Sequence, residues 1–190
     1  MTIKPILFNT EMVRAILDGR KTCTRRLVRF LPGENPQWTG YIRDGLMLYN
    51  GRNEPCIMKA PYQPGDILYV RETWKRAPNG YYYYEDWQRN DIADITKWKP
   101  SIHMPKEAAR IFLKVTDVRV ERLQEITIDD IRNEGLSSMA VHAGDMEIAI
   151  EEWKNLWNST IKKSDLDCYG WDANPWVWVI EFERCEKPEK

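Results

Sequence analysis

Polar and apolar positions along the chain mark out short helices and strands in alternation. After the apolar stretch Pro5-Ile6-Leu7-Phe8, Thr10 is placed to cap a helix running to Asp18, with Met12, Val13, Ile16 and Leu17 on one face. Gly19 supplies a left-handed stop. A turn at Pro64-Gly65-Asp66 launches a strand from Ile67 to Trp74, and the aromatic run Tyr81 to Tyr84 suits a partner strand across a hairpin loop at Ala77-Pro78-Asn79-Gly80. Arg110 to Glu121 reads as a further strand. Ile111, Leu113 and Val115 share one face, but the apolar positions then shift to Val118 and Val120. A slip of one residue exchanges faces, so a bulge or sharp bend is expected near Thr116-Asp117.

Thr127 begins a second helix through Asp130 and Ile131 to Glu134, ended by Gly135, with Thr127 and Asp130 forming a weak capping box. Asp145 to Trp157 is a third helix, striped by Ala149, Trp153, Leu156 and Trp157. The run Trp176 to Phe182 is apolar on both faces at first, which marks an interior strand. Strands spread along the chain with helices between them predict an α+β fold: a mixed β-sheet with helices packed outside. Bends of the kind expected at Thr116 are how small sheets curl into barrels.

Composition narrows the function. A chain of 190 residues, 43% hydrophobic and 30% charged, is a globular chain of single-domain size. Lys and Arg number 28 against 29 Asp and Glu, a net charge of −1, so contact with nucleic acid has to come from a local patch. No apolar run approaches the roughly 18 residues of a membrane span, and the N-terminus lacks a signal-peptide layout, so a cytoplasmic protein is expected. Cys23, Cys56, Cys168 and Cys185 lie far apart, and His103 and His142 lack metal-ligand spacing, so neither metal nor cofactor is expected.

The most informative segment is Gly19-Arg20-Lys21-Thr22-Cys23-Thr24-Arg25-Arg26, a basic, hydroxyl-bearing loop that follows a helix. The pattern Gly-Arg-Lys-Thr-x-Thr-x-Arg resembles the signature of the ASCH domain, a member of the PUA-like superfamily. Gly65 to Glu72 as central strand, the segment Leu123 to Gly135 and the closing strand Trp176 to Phe182 fit the same resemblance in order. It implies one domain over 1–190, a PUA-like curled barrel, with insertions at about 31–64, 75–104 and 137–175. Arg-Glu-Thr-Trp and His-Met-Pro are similar to longer members carried by bacteriophages and prophages.

The resemblance further implies a nucleoside, nucleotide or single-stranded RNA as partner. One small bacterial member of the family is an amidohydrolase acting on N4-acetylcytidine, and another is a ribonuclease. The amidohydrolase's working residues map onto Lys21, Thr24 and Glu134. A non-catalytic phage or host adaptor is the alternative from a different class, since a fold does not carry an activity with it.

Chemistry sets conditions on that mapping. Thr24 would be the nucleophile or hold a water, and Lys21 would have to lose its proton through burial or neighbouring arginines. A carboxylate from Glu134 would pull the other way. On a regular strand, positions three apart face oppositely. Lys21 is therefore expected in a turn and Thr24 at the start of a strand, where Thr22 and Thr24 would face the same way.

Arg20, Arg25 and Arg26 are candidate nucleotide contacts, with surface ion pairing as the plain alternative. Glu72, Trp74 and His103 join them by resemblance or chemistry, each with an ordinary structural role as its alternative. Trp153, Trp157, Trp176 and Trp178 fall at core spacings, whereas Trp38, Trp74, Trp87, Trp98 and Trp171 lie in or beside loops and are better placed to stack on a base. Cys23 is expected to face away from the site.

Overall fold

A computed structural model describes residues 2–29, 37–42, 45–49, 55–87 and 97–188. In chain order the strands are β1 (Ile3–Leu7), β2 (Cys23–Leu27), β3 (Gln37–Ile42), β4 (Gly45–Tyr49), β5 (Pro55–Lys59), β6 (Ile67–Arg71), β7 (Trp74–Ala77), β8 (Gly80–Tyr83), β9 (Phe112–Arg122) and β10 (Trp176–Cys185). The helices are α1 (Thr10–Leu17), α2 (Tyr84–Trp87), α3 (Ile128–Asn133), α4 (Met139–Ala143), α5 (Met146–Ser159) and α6 (Leu166–Tyr169).

Five strands form a mixed sheet in the order β1-β6-β9-β10-β2, with β1 and β6 parallel and the other pairs antiparallel. Strands β3, β4 and β5 make a separate antiparallel meander, and β7 and β8 a hairpin. The fold is α+β. The described ladders leave β1 and β2 as sheet edges, so strand pairing does not by itself close the sheet into a barrel.

Strand β10 explains why both faces of the sheet are covered. Trp178, Ile180 and Phe182 pack into one core with Ile6, Val13, Ile16, Leu68 and Val70. Val177 and Val179 pack into another with Leu123, Ile131, Trp153 and Trp157. Helix α1 contributes to the first core, and α3, α4 and α5 to the second. The run of apolar residues on both faces thus marks an interior strand, as the sequence predicts.

The predicted bulge is present. The β9–β10 register passes from Asp117 opposite Glu181 to Val115 opposite Phe182, which leaves Thr116 as the extra residue. Its insertion lets Leu113 and Val115 face the same core as Val120 despite their opposite parity.

Other expectations shift. Asn9, not Thr10, caps α1: its side-chain oxygen accepts from the Met12 amide at 2.8 Å, and its backbone is extended, whereas Thr10 is already helical. The strand expected over Ile67 to Trp74 breaks after Arg71. The tyrosine strand therefore pairs with β7, Trp74 opposite Tyr83, instead of with β6. Helices α2, α4 and α6 do not follow from the sequence, because four or five residues are too few to show a helical period, and Tyr84 opens α2 instead of ending the tyrosine strand. The stretch rich in Pro, Gly and Asn from Leu31 to Pro64 reads as a long loop by sequence but holds the β3–β5 meander.

Asp66, just before β6, ties down the first strand. It accepts from the Thr2 amide and hydroxyl at 3.2 and 2.6 Å, from Lys4 Nζ at 2.8 Å and from the Gln63 amide at 3.1 Å. Burial pushes its carboxyl up, but these donors win and hold it below the ordinary carboxylate value. The stability it contributes is present above about pH 3.9 and is lost as pH falls through the lower folded-state value. Asp66→Asn should cost about 1.5–3 kcal/mol at neutral pH. In urea titrations from pH 7 down to pH 2, the gap between wild type and variant should narrow below about pH 4; a gap that stays constant contradicts this account.

Candidate functional site

Helix α1 ends with the Asp18 and Gly19 amides bonded back to Arg14 and Ile16, and Gly19 takes φ +76°. The Arg20 and Lys21 amides then both donate to the Ala15 carbonyl, at 2.9 and 3.0 Å. Lys21 is thereby fixed in the turn that precedes β2, and Thr24 is the second residue of that strand. Both lie where the spacing argument puts them. Thr22 departs from it: it is exposed, whereas Thr24 is buried.

Lys21 is buried, and its ammonium meets three oxygens. Nζ donates to the Cys23 carbonyl at 2.8 Å, to the Glu134 carbonyl at 2.9 Å and to Glu134 Oε2 at 2.7 Å. Burial lowers the Lys21 pKa and outweighs the opposing pull of Glu134. The conflict noted from the sequence therefore resolves toward easier deprotonation.

The other oxygen of Glu134, Oε1, accepts from Arg25 Nη1 at 3.3 Å. Arg25 also pairs with Glu121 at 3.3 Å and Asp130 at 3.5 Å. Burial opposes the Arg25 charge, but these carboxylates more than restore it. Arg25 thus gives both terminal nitrogens to protein acids.

Arg26 is different. Its Nη1 donates to Thr24 Oγ1 at 2.5 Å and to the Arg25 carbonyl at 2.9 Å, while Nη2 reaches the Leu7 carbonyl of β1 at 3.1 Å. Arg26 and Lys21 both lie over the Phe8 ring, at 5.3 and 5.4 Å from its centroid.

These residues surround a cavity of about 640 Å³ beside β2. Lys21, Thr24, Arg25, Arg26 and Glu134 all line it, with Phe8 on one side and Trp153 and Trp157 of α5 on the other. Because β2 is an edge strand, side chains from both of its faces reach the same space. Cys23 is buried and burial pushes its thiol to about 12, so it is inert as a nucleophile.

The remaining sequence candidates lie elsewhere. Arg20 bonds the Gly135 carbonyl at 2.6 Å and Asp18 at 3.1 Å, and lines a separate cavity of about 440 Å³. Glu72 is buried and doubly bonded by Arg110, at 2.9 Å to each oxygen, while burial pushes its carboxyl up. Trp74 packs in a third core under Tyr81, with Lys99 over its ring at 5.1 Å. His103 is exposed in a short turn. None of these four lines the large cavity. The side chains of Trp38 and Trp87 lie outside the described residues.

Sequence reasoning missed the wall that α5 supplies. Trp153 and Trp157 sit at core spacing, and a residue facing a cavity has the same helical period as one facing a core. Among the described residues no helix is long and apolar enough to cross a membrane, and no cluster of three or more His, Cys, Asp or Glu is placed to hold a metal ion.

No family model and no curated protein matches this chain. Two solved structures are similar at low identity. One is the hypothetical protein PH0355, 16% identical, TM-score 0.43, over 97% of this chain and all of the other. The second is an ASCH domain from Lactobacillus crispatus JV V101, 11% identical, TM-score 0.44, over 98% of this chain and 81% of the other.

Gly135 makes the Lys21–Glu134 contact possible. It follows the α3 cap at φ +96°, and a Cβ built there would lie 2.8 Å from Ala15 Cβ and 3.1 Å from Lys21 Cβ. Gly135→Ala should therefore push the end of α3 off α1 and cost about 2–4 kcal/mol, from left-handed strain plus overpacking. Chemical denaturation measures it, and wild-type stability in the variant would show that the approach is looser than described.

Proposed function

We propose that the chain is an ASCH-type, PUA-like domain that binds a nucleoside, nucleotide or short single-stranded RNA in the cavity beside β2. On this reading it hydrolyses an amide on a modified nucleoside of the N4-acetylcytidine type. The observation that carries it is the convergence of Lys21 and Thr24 from the loop and Glu134 from the end of α3 on one nucleoside-sized cavity. Residues 1–190 form one domain of the longer phage type. The Arg26 bond to Leu7 links the two edge strands on the side where a curled barrel would close.

The geometry supports a division of labour. Thr24 Oγ1 accepts from Arg26, which leaves its own O–H free to donate. Lys21, once neutral, takes the proton from Thr24 or from a water it holds, and that oxygen attacks the amide carbonyl carbon. The oxyanion develops near the Arg26 guanidinium. As the carbon–nitrogen bond breaks, Lys21 returns the proton to the leaving amine. If Thr24 is the nucleophile, water then cleaves its acyl ester; if water attacks, acetate leaves directly.

Glu134 orients Lys21 and stays paired to Arg25. The lowered Lys21 pKa increases the share of neutral amine near neutral pH relative to an exposed lysine. A base of this kind gives a rate that rises with pH until Lys21 is deprotonated.

The test is a panel of N4-acetylcytidine, other acylated cytidines and short RNAs. Acetate release that falls at least a hundredfold in both Lys21→Ala and Thr24→Ala supports the amidohydrolase. RNA cleavage lost in the same variants identifies a ribonuclease using this cavity. Binding with no turnover of any substrate rejects catalysis and leaves an adaptor.

A further inference from the structure

Helix α5 belongs to the stretch 137–175, outside the segments that carry the loop signature, yet it builds one wall of the cavity through Trp153, Leu156 and Trp157. Its two indoles are tilted against each other with centroids 6.4 Å apart. They differ in one respect. Trp157 Nε1 donates to the Tyr169 carbonyl at 2.9 Å, whereas Trp153 Nε1, also shielded from solvent, meets no acceptor among the described residues.

A second orphan donor belongs to a residue that lines the same cavity. Arg25 spends its two terminal nitrogens on Glu134, Glu121 and Asp130, but its Nε has no acceptor among the described residues. A buried N–H left unpaired is costly, and native proteins leave few of them. Here two occur on residues that line one cavity, and both can donate but not accept.

We infer that Trp153 is a specificity-determining residue of this cavity: its indole N–H, with Arg25 Nε, receives an oxygen acceptor of the bound ligand. The inference rests on the reading of the cavity as a nucleoside site. Both donors are shielded from solvent in the free protein, so binding by this route requires the indole to turn toward the ligand as it seats. The acceptor is an oxygen of either a base carbonyl or a phosphate. A ligand that offers an N–H or a methyl at that point leaves both donors unpaired and is rejected. The inserted helix thereby selects among ligands that the loop residues alone would treat alike.

Trp153→Phe keeps an aromatic ring and removes the N–H. Cytidine and inorganic phosphate are titrated separately into the full-length protein, following the indole ¹⁵N–¹H signals and the resonances of Lys21 and Thr24. The Trp153 indole signal should move with cytidine if a base carbonyl is the acceptor, or with phosphate if a phosphate oxygen is. Trp153→Phe should weaken the responding probe about tenfold, the equivalent of one hydrogen bond, with the free-state resonances of Lys21 and Thr24 unmoved, although the loss of buried ring volume lowers the melting temperature. A residue that only packs would leave binding unchanged while those resonances keep their places, and that result overturns the inference. Lys21 and Thr24 responding while the Trp153 indole stays still overturns it too, but leaves the nucleoside site standing. No response from any of these signals to either probe overturns both.

Discussion

The Glu134 carboxylate, buried between Lys21 and Arg25, is the contact on which the site depends. One oxygen takes Lys21 Nζ and the other takes Arg25. Three pieces of chain meet there: the exit of α1, the start of β2 and the end of α3. A buried ion pair contributes little net stability, because desolvation offsets most of the attraction, but removing one partner strands the others. Its consequence is positional. Glu134 can sit there only because Gly135, in a left-handed conformation and without a side chain, lets α3 end against Ala15 and Lys21.

Lys21, with its neighbour Arg26, also solves a problem of the sheet. Thr22 and Val28 bond β10 through their backbones, so Thr24 and Arg26 do as well, and Cys23, Arg25 and Leu27 point their peptide groups away from it. An edge of this kind invites pairing with another chain. Here the Cys23 carbonyl takes Lys21 Nζ and the Arg25 carbonyl takes Arg26 Nη1. The residues that occupy the edge are the residues that line the cavity, so protecting the strand and building the site are one arrangement.

How much of this was legible in the sequence depends on the range of the signal. The bulge at Thr116, the interior strand at β10 and the turn holding Lys21 follow from parity and local stops, which act over a few residues. The Thr10 cap failed because Asn9, one residue earlier, has an extended backbone and an equally good acceptor. Arg25 is a candidate ligand contact by sequence, and the acids that hold its terminal nitrogens come from β9 and α3, roughly a hundred positions away, with no local pattern to announce them. Glu72 and Trp74 follow the central strand closely in sequence, yet the break after Arg71 turns them into the core that holds Phe112 and Met104. Trp153 and Trp157 were hidden for the opposite reason: they are as buried as core residues, and only the assembled fold reveals a cavity beside them.

The charges around this cavity largely offset one another. Lys21 and Arg25 share Glu134, and Arg25 is further neutralised by Glu121 and Asp130, so the positive surplus inside the wall is small. Arg26 spends its donors on Thr24 and two carbonyls, none of them anionic. A protein that tracks a phosphate backbone needs many exposed cations and loses affinity steeply with salt. Here two cations without an ion pair among the described residues, Arg26 and the exposed Arg29, stand beside an aromatic wall in a chain of net charge −1, which is a local pocket and not a surface that tracks a phosphate backbone. The basic loop therefore works through where it places Lys21, Thr24 and Arg26, more than through the charge it adds to the surface.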